Sequence, residues 1–196
     1  MPEILQVAPR VRHLLLMVRD GRWKNKFLLG HDERHWFAAA VPGDSIRDVR
    51  TAIESLRPDE VEPDGAIRQG EWFFVPMSPS FAADPLNVIH RNEPLSRGGG
   101  SKPHMCEEIV RMGGEDVMVS AAHPGGVRIA AYEDMIRANP LAQRQNWRRM
   151  VRDAAVYARG KVRHPDHKTI HLDGWPRVYL NREHQARHAR QIAFLD

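Results

Sequence analysis

The segment GKVRHPDHKTIHLDGWPRVYLN, residues 160–181, has the pattern of a small β-meander. Apolar and polar residues alternate from Val162 and alternate again across 169–172. The dipeptide Asp173-Gly174 is a strong hairpin signal, and the apolar run 175–180 follows it directly. We therefore expect three short strands joined by tight turns near the end of the chain.

The first turn of this segment carries groups that bind metals or phosphates. His164 and His167 flank a Pro-Asp pair, and Arg163 and Lys168 lie at the edges of the turn. A tight turn holds side chains in fixed directions, so both imidazoles are expected to point toward one small region. Two histidines near neutral pH are also a natural acid and base pair for phosphodiester cleavage.

Length and composition predict one domain, residues 1–196. A chain of 196 residues can bury a full core, and its single cysteine, Cys106, excludes an intrachain disulfide. The longest early apolar run, 14–18, is too short to span a bilayer, and no secretion signal opens the chain. These features favour a cytoplasmic protein without membrane contact.

Local patterns predict an α+β fold, in which about three helices pack on an antiparallel sheet. Strands are expected within 11–41 and at 71–76, because apolar and β-branched runs there are bounded by turn signals. Helices are expected at 45–57, 103–112 and 140–159, and the last begins at the Asn139-Pro140 cap. The polar segment 182–196 is interpreted as a terminal helix or a flexible tail.

Positive charge is concentrated in the second half of the chain. Residues 1–98 hold 13 Lys+Arg and 14 Asp+Glu, whereas residues 99–196 hold 16 and 11, a net charge of +5. Between residues 137 and 163 eight basic residues accompany a single acid, Asp153. Arginine outnumbers lysine by 24 to 5, which suits bidentate phosphate contacts. The alternative is a solvated arginine-rich surface without a partner.

A basic stripe is the predicted nucleic-acid contact. On the expected helix 140–159, arginines recur at every fourth position and place like charges together, which an anion would neutralise. The residues assigned to phosphate contacts are Arg144, Arg148, Arg149, Arg152, Arg159, Arg163 and Lys168. A second phosphate site is expected at the glycine-rich loop before the 103–112 helix, with Arg97 and Lys102 as its cations.

The predicted metal site combines two distant segments. His104 and Cys106 lie near one helix start, and His164 and His167 lie on the turn described above. One thiolate and three imidazoles make a normal tetrahedral zinc shell. In the metal-free alternative, His164 and His167 are acid and base, and the loop at His90 completes the pocket.

Three functions are compatible with these patterns. The leading hypothesis is a cytoplasmic nucleic-acid-binding protein, with RNA favoured over DNA. The alternative is a histidine-dependent or zinc-dependent phosphodiesterase or nuclease centred on His164 and His167. The third is a non-catalytic module that binds a protein partner.

Overall fold

The computed structural model describes residues 1–32, 35–78, 88–97 and 101–186. Strands make up 50% of the described residues, and this part of the chain is mostly antiparallel β-sheet with two helices. The strands are β1 Pro2–Ala8, β2 His13–Asp20, β3 Trp23–Asp32, β4 His35–Ala40, β5 Ile67–Gln69, β6 Trp72–Val75, β7 Ile89–Leu95, β8 His104–Met112, β9 Glu115–Ser120, β10 His123–Arg128, β11 Arg148–Arg152, β12 Ala155–Arg163, β13 Ile170–Leu172 and β14 Arg177–Leu180. The helices are α1 Val49–Leu56 and α2 Ile129–Ala138. The predicted α+β fold with three packed helices is therefore wrong.

The first forty residues form a four-stranded sheet in the order β1-β2-β3-β4. Successive side chains of a strand point to opposite faces of the sheet, and Leu15 and Leu28 lie on the face that packs against α1. The helix begins after Asp48, whose carboxylate accepts the Thr51 backbone N–H at 2.8 Å. The strands expected within 11–41 and the helix expected near 45–57 are both present.

The second sheet is a seven-stranded half-barrel with the order β5-β6-β14-β12-β8-β7, and β13 also pairs with β12. Its core is apolar and fully buried around Trp72, Phe74 and Ile109. A smaller sheet, β10-β9-β11, lies beside α2. The strand expected at 71–76 is present as β6.

The predicted helix at 103–112 is strand β8. It hydrogen-bonds on both edges, to β7 and to β12. β7 is separated from β8 by a loop, and β12 is distant in sequence. Pairing with such partners overrides a weak local helix preference. Ile109 and Val110 suit this position, since β-branched residues pack well on a pleated surface.

The predicted helix at 140–159 is wrong, because only the 3₁₀ turn Pro140–Arg144 is helical in this segment. Asn139 caps it as expected, because its side chain accepts the Leu141 N–H at 3.2 Å. Asn146 and Asp153 then adopt positive φ values of 43° and 58°, which no α-helix contains. The chain between and after them forms β11 and β12 instead of an arginine-rich helix.

The expected meander strands are present, but their order differs. β8 occupies one edge of β12, and β13 and β14 pair with different parts of the other edge. β14 also pairs with β6, so it is fixed between two partners. The segment therefore closes the half-barrel and is not a separate three-stranded unit.

No helix in the described part of the chain is both long and apolar enough to cross a membrane.

Candidate metal centre

Three histidines from two distant segments meet at one end of the half-barrel. One ring nitrogen from each of His104, His164 and His167 lies within 4.8 Å of the others. Three of the four predicted metal ligands are therefore brought together. His104 is sixty residues before His164 in the chain, so only the pairing of strands places the two segments side by side.

The register between β8 and β12 sets the first contact. Met105 pairs with Arg163, so the next residues outward, His104 and His164, lie opposite each other. Their rings stack with centroids 4.1 Å apart and an interplanar angle of 21°. A β-bulge between Arg159 and Val162 changes the course of β12 just before this point.

The loop after β12 brings the third histidine back over the other two. The ring of His167 lies 4.7 Å from that of His164 and 5.5 Å from that of His104, between centroids. The loop is fastened by Gln69, whose side-chain amide donates to the Lys168 carbonyl at 2.6 Å and to the Val162 carbonyl at 3.4 Å. Hydrogen bonds from one side chain to the backbone thus hold the histidine-bearing loop in place.

The backbone of Gly70 lies directly against the rings of His104 and His167. It begins the two-residue turn between β5 and β6 with a φ of +57°, which glycine adopts without steric cost. A Cβ atom at this position would lie 2.8 Å from Nε2 of His167 and 3.2 Å from Nε2 of His104. Any residue other than glycine would therefore press on two of the three imidazoles.

His104 is the unusual member of the cluster. Its side chain is 1% exposed, and neither ring nitrogen has a hydrogen-bond partner among the described residues. Burial lowers its pKa to about 3, with a further contribution from the charges of His164 and His167. The ring is neutral at pH 7. A fully buried polar group without a partner is rare in proteins, and a bound water or ion is one of its known explanations.

His164 and His167 are partly buried and accessible from outside. Burial and then the charge of His167 lower the pKa of His164. Nε2 of His164 lies 3.3 Å from the Lys102 carbonyl oxygen, and its Nδ1 accepts the Asp166 backbone N–H at 3.1 Å. The Nδ1 atom of His167 is buried and has no hydrogen-bond partner in the part of the chain that the structure describes.

Asp166 ties the loop to two other parts of the molecule. Both of its carboxylate oxygens accept from the Lys102 ammonium at 2.8 Å, and Oδ1 lies 3.5 Å from Nε2 of His35. The hydrogen bond from Lys102 is the main reason that the pKa of Asp166 lies below its usual value. His35 comes from the first sheet, so both sheets contribute to the surroundings of the cluster.

Cys106, the fourth predicted ligand, lies in the apolar core and outside the cluster of donors. It is fully buried, and burial raises the pKa of its thiol to about 12. His104 and Cys106 share one face of β8, but residues two apart on a strand are separated by about 6.6 Å. Zinc binds thiolate, which this environment disfavours.

The other predicted catalytic and phosphate residues lie apart from the cluster. His90 pairs with Ile109 at the opposite end of β7 from the end that meets His104. Arg97 contacts Glu183 at 2.6 Å and Glu71 at 3.9 Å. The glycine-rich loop leads into a strand, so no helix N-terminus is available there for a phosphate; its residues 98–100 lie outside the described residues.

Three of the seven residues of the predicted basic stripe are paired with acids that come from other strands. Arg149 contacts Asp116 at 2.6 Å, and Arg152 pairs with Glu115. The Nε atom of Arg159 donates to Glu108 at 2.7 Å. Arg163 donates to the Asn92 side-chain oxygen at 3.0 Å, and Lys168 is exposed.

The sequence prediction that these arginines lack acidic partners considered only residues nearby in the chain. The acids that pair with three of them lie on β8 and β9. Arg144 and Arg148 are exposed and have no ion-pair partner within the described ranges. They are the members of the stripe that remain available to an anion.

Gly70→Ala is expected to lower the metal affinity of the cluster by about tenfold or more, because the new methyl group displaces His167. Gly174→Ala is the matched control. Its φ of +65° imposes a similar backbone cost, but an added Cβ meets nothing within 4 Å. Calorimetric zinc titration measures both variants. Equal affinities in the two would show that Gly70 does not shape the site.

Sequence patterns did not reveal Gln69 and Gly70 as part of the site. The only local signal is a glycine before a buried strand, which also marks ordinary hairpins. No family model, curated protein or solved structure matches the chain. Function is therefore inferred from the side chains themselves.

Proposed function

We propose that the protein is a metal-dependent phosphodiesterase, in which His104, His164 and His167 bind one divalent ion of the zinc type. The observation that carries this proposal is the state of His104. A neutral imidazole is buried with two unpartnered nitrogens against two further imidazoles. A metal ion would satisfy this group without displacing a proton from the buried ring, because His104 is neutral at pH 7.

The ligand types favour zinc or a similar transition metal. Imidazole suits Zn²⁺, Co²⁺, Ni²⁺ and Cu²⁺, whereas Ca²⁺ and Mg²⁺ prefer oxygen. Structural zinc sites are normally closed by four protein ligands, and catalytic sites use three and leave one position open. The three-histidine set, with no fourth His, Cys, Asp or Glu clustered beside it among the described residues, fits the open type.

Coordination requires a small rearrangement of the rings. Nitrogens bound 2.0–2.1 Å from zinc in a tetrahedral site are about 3.3–3.4 Å apart, closer than the 4.8 Å limit seen here. The partly buried rings of His164 and His167 supply this movement. His164 already points Nε2 at the Lys102 carbonyl, the arrangement that fixes a metal-bound imidazole, so Nδ1 would bind the ion in place of the Asp166 N–H.

Cations beside the cluster favour an anionic substrate. Lys102 contacts the histidine loop through Asp166, and Arg68 donates to the Gly70 carbonyl at 2.8 Å. The second half of the chain carries a net charge of +5. A phosphodiester is the anion most consistent with this surface, and the exposed Arg144 and Arg148 would contact a longer polymer. The bound ion would supply Lewis acidity for hydrolysis.

The substrate class is therefore nucleic acid, with RNA favoured. Binding through phosphate contacts is expected to weaken steeply as salt rises. This part of the proposal rests on charge and on the proximity of cations to the cluster, and it is tested separately from metal binding.

Cleavage of single-stranded RNA and DNA is expected only when the protein carries its metal. Activity should disappear after chelation, return with Zn²⁺ or Co²⁺, and be absent from His167→Ala. His171→Ala is the matched control, since His171 lies on β13 with a 65% exposed side chain and is outside the cluster. The measurement is loss of full-length labelled oligonucleotide on a denaturing gel.

Two outcomes would contradict the proposal in different ways. Stoichiometric metal without cleavage of either oligonucleotide would remove the phosphodiesterase function and leave a metal-binding protein. Cleavage that persists after complete metal removal, and is lost in His167→Ala, would support acid and base catalysis by the histidines instead.

A further inference from the structure

One face of the four-stranded first sheet is apolar, and no helix or strand of the described residues forms a second layer on it. The central strand β2 contains Leu14, Leu15 and Leu16 in succession, so it is apolar on both faces. Leu15 faces α1 and is fully buried, whereas Leu14 and Leu16 are only partly buried on the opposite, outer face. In a sheet that is covered on one face only, apolar and polar residues normally alternate along each strand.

The pairing register identifies the members of this outer face. Residues directly opposite each other share a face. The rows that cross the sheet are Ile4-Leu16-Phe27-Ala40, Val7-Leu14-Leu29-Ala38 and His31-Trp36, with Trp23 in line at the end of β3. The face is therefore apolar across all four strands.

Several of its side chains are strongly exposed. Ile4 is 61% exposed, Val7 57%, Trp36 76% and Trp23 43%. Isolated apolar residues on a surface are ordinary, but a contiguous apolar area of several hundred square ångströms marks an interaction site. Two exposed tryptophans on one face strengthen this interpretation, because tryptophan is enriched at protein interfaces.

The covered inner face shows which partner fits such a sheet. There α1 packs with Val49, Ala52 and Leu56 against the strands. Four strands spaced about 4.8 Å apart span roughly 14 Å, which one helix of 10–12 Å diameter covers almost completely. On the outer face, no helix or strand in the described ranges makes the corresponding contact.

The charges around the outer face determine the chemistry of the partner. Arg10 and Arg12 lie in the link between β1 and β2, and Arg22 lies in the β2–β3 turn beside Trp23, 5.3 Å from its ring. Residues 1–40 hold seven Lys+Arg and four Asp+Glu, and of the acids Glu3 pairs with Arg19. A second copy of the chain would place these basic ends against each other, which costs binding free energy.

We propose that the outer face of the first sheet binds an amphipathic helix of a partner protein, with its polar side rich in Asp and Glu. The apolar side of the helix lies across the Ile4 and Val7 rows, and its carboxylates meet the basic rim. This interaction does not use the three candidate metal ligands, which lie on β8 and on the loop after β12.

The test uses the full-length protein and two synthetic 18-residue peptides. Both carry leucines at helical spacing; one has glutamates and the other lysines at all remaining positions. The glutamate peptide is expected to bind at least about tenfold more tightly than the lysine peptide. Fluorescence anisotropy of the labelled peptides gives the affinities, and a blue shift of the protein tryptophan emission reports burial of Trp23 and Trp36.

Ile4→Ser/Val7→Ser is expected to weaken the glutamate peptide at least about tenfold, because two apolar contacts are lost. Leu141→Ser, which changes a 64% exposed residue on a distant turn, should leave the affinity unchanged. Equal binding of both peptides, or no effect of the double substitution, would overturn the proposal. So would an Ile4- and Val7-dependent dimer in sedimentation, or equivalent binding to anionic phosphatidylglycerol vesicles.

Discussion

Zinc titrated into the chelator-treated protein is expected to bind at one equivalent, and His167→Ala is expected to weaken this binding at least about 100-fold. Loss of groups that merely support a ligand typically costs 10–100-fold, so removal of a ligand should cost more. The effect should be this large because two imidazoles hold an ion much more weakly than three. Calorimetric titration and elemental analysis give the affinity and the stoichiometry.

Two control variants identify the ligand set. His171→Ala should retain full affinity, since this exposed histidine lies outside the cluster. Cys106→Ala should retain metal as well, because the thiol lies in the core. The cobalt-substituted protein should show no thiolate charge-transfer band. Loss of metal from Cys106→Ala, together with such a band, would show that the fourth predicted ligand belongs to the site.

The metal-free protein is expected to become much less stable as the pH falls below about 6.5. His104 has a pKa of about 3 in the folded state and 6.5 as a free side chain, so the unfolded chain binds a proton that the folded protein excludes. The contribution of His104 to the free energy of unfolding is therefore fully present above pH 6.5 and is lost progressively toward pH 3. The loss is about 2 kcal/mol at pH 5 and on the order of 5 kcal/mol at pH 3.

Urea unfolding in the presence of chelator, at pH 7 and at pH 5, measures this effect. His104→Leu removes the titrating group and should flatten the dependence between the two pH values. His171→Leu should keep it, because that ring is exposed in both states. A pH dependence that His104→Leu leaves unchanged would assign the acid sensitivity to other groups.

Elements with strong local signals were predicted correctly. The turns around residues 20–22 and the apolar runs of β2 and β3 mark the first hairpins, and the helix expected at 45–57 is present as α1, which begins later than expected, after Asp48. In these elements the partners are near in sequence. Local patterning and turn chemistry are then sufficient to specify the structure.

The two incorrect helices show where such reasoning fails. Periodicity in 103–112 and 140–159 fits a helix as well as a buried strand, and nothing nearby in the sequence distinguishes them. β8 is a strand because β7 and β12 occupy its two edges, and β12 is a strand because β8, β13 and β14 surround it. The arginines of the basic stripe lie outside an α-helix for the same reason, and the acids that pair with three of them lie on β8 and β9.

The sequence by itself determined which residues had the chemistry for a site. His104, His164 and His167 were recognisable as candidate ligands because imidazole binds metals, and the His-x-x-His turn kept two of them close together. Only the tertiary structure decided that these three converge while Cys106 stays in the core, and that Gly70 lies against two of the rings. The physical reason is that strand register acts across sixty residues, and a shift of one residue would turn His104 to the other face of β8.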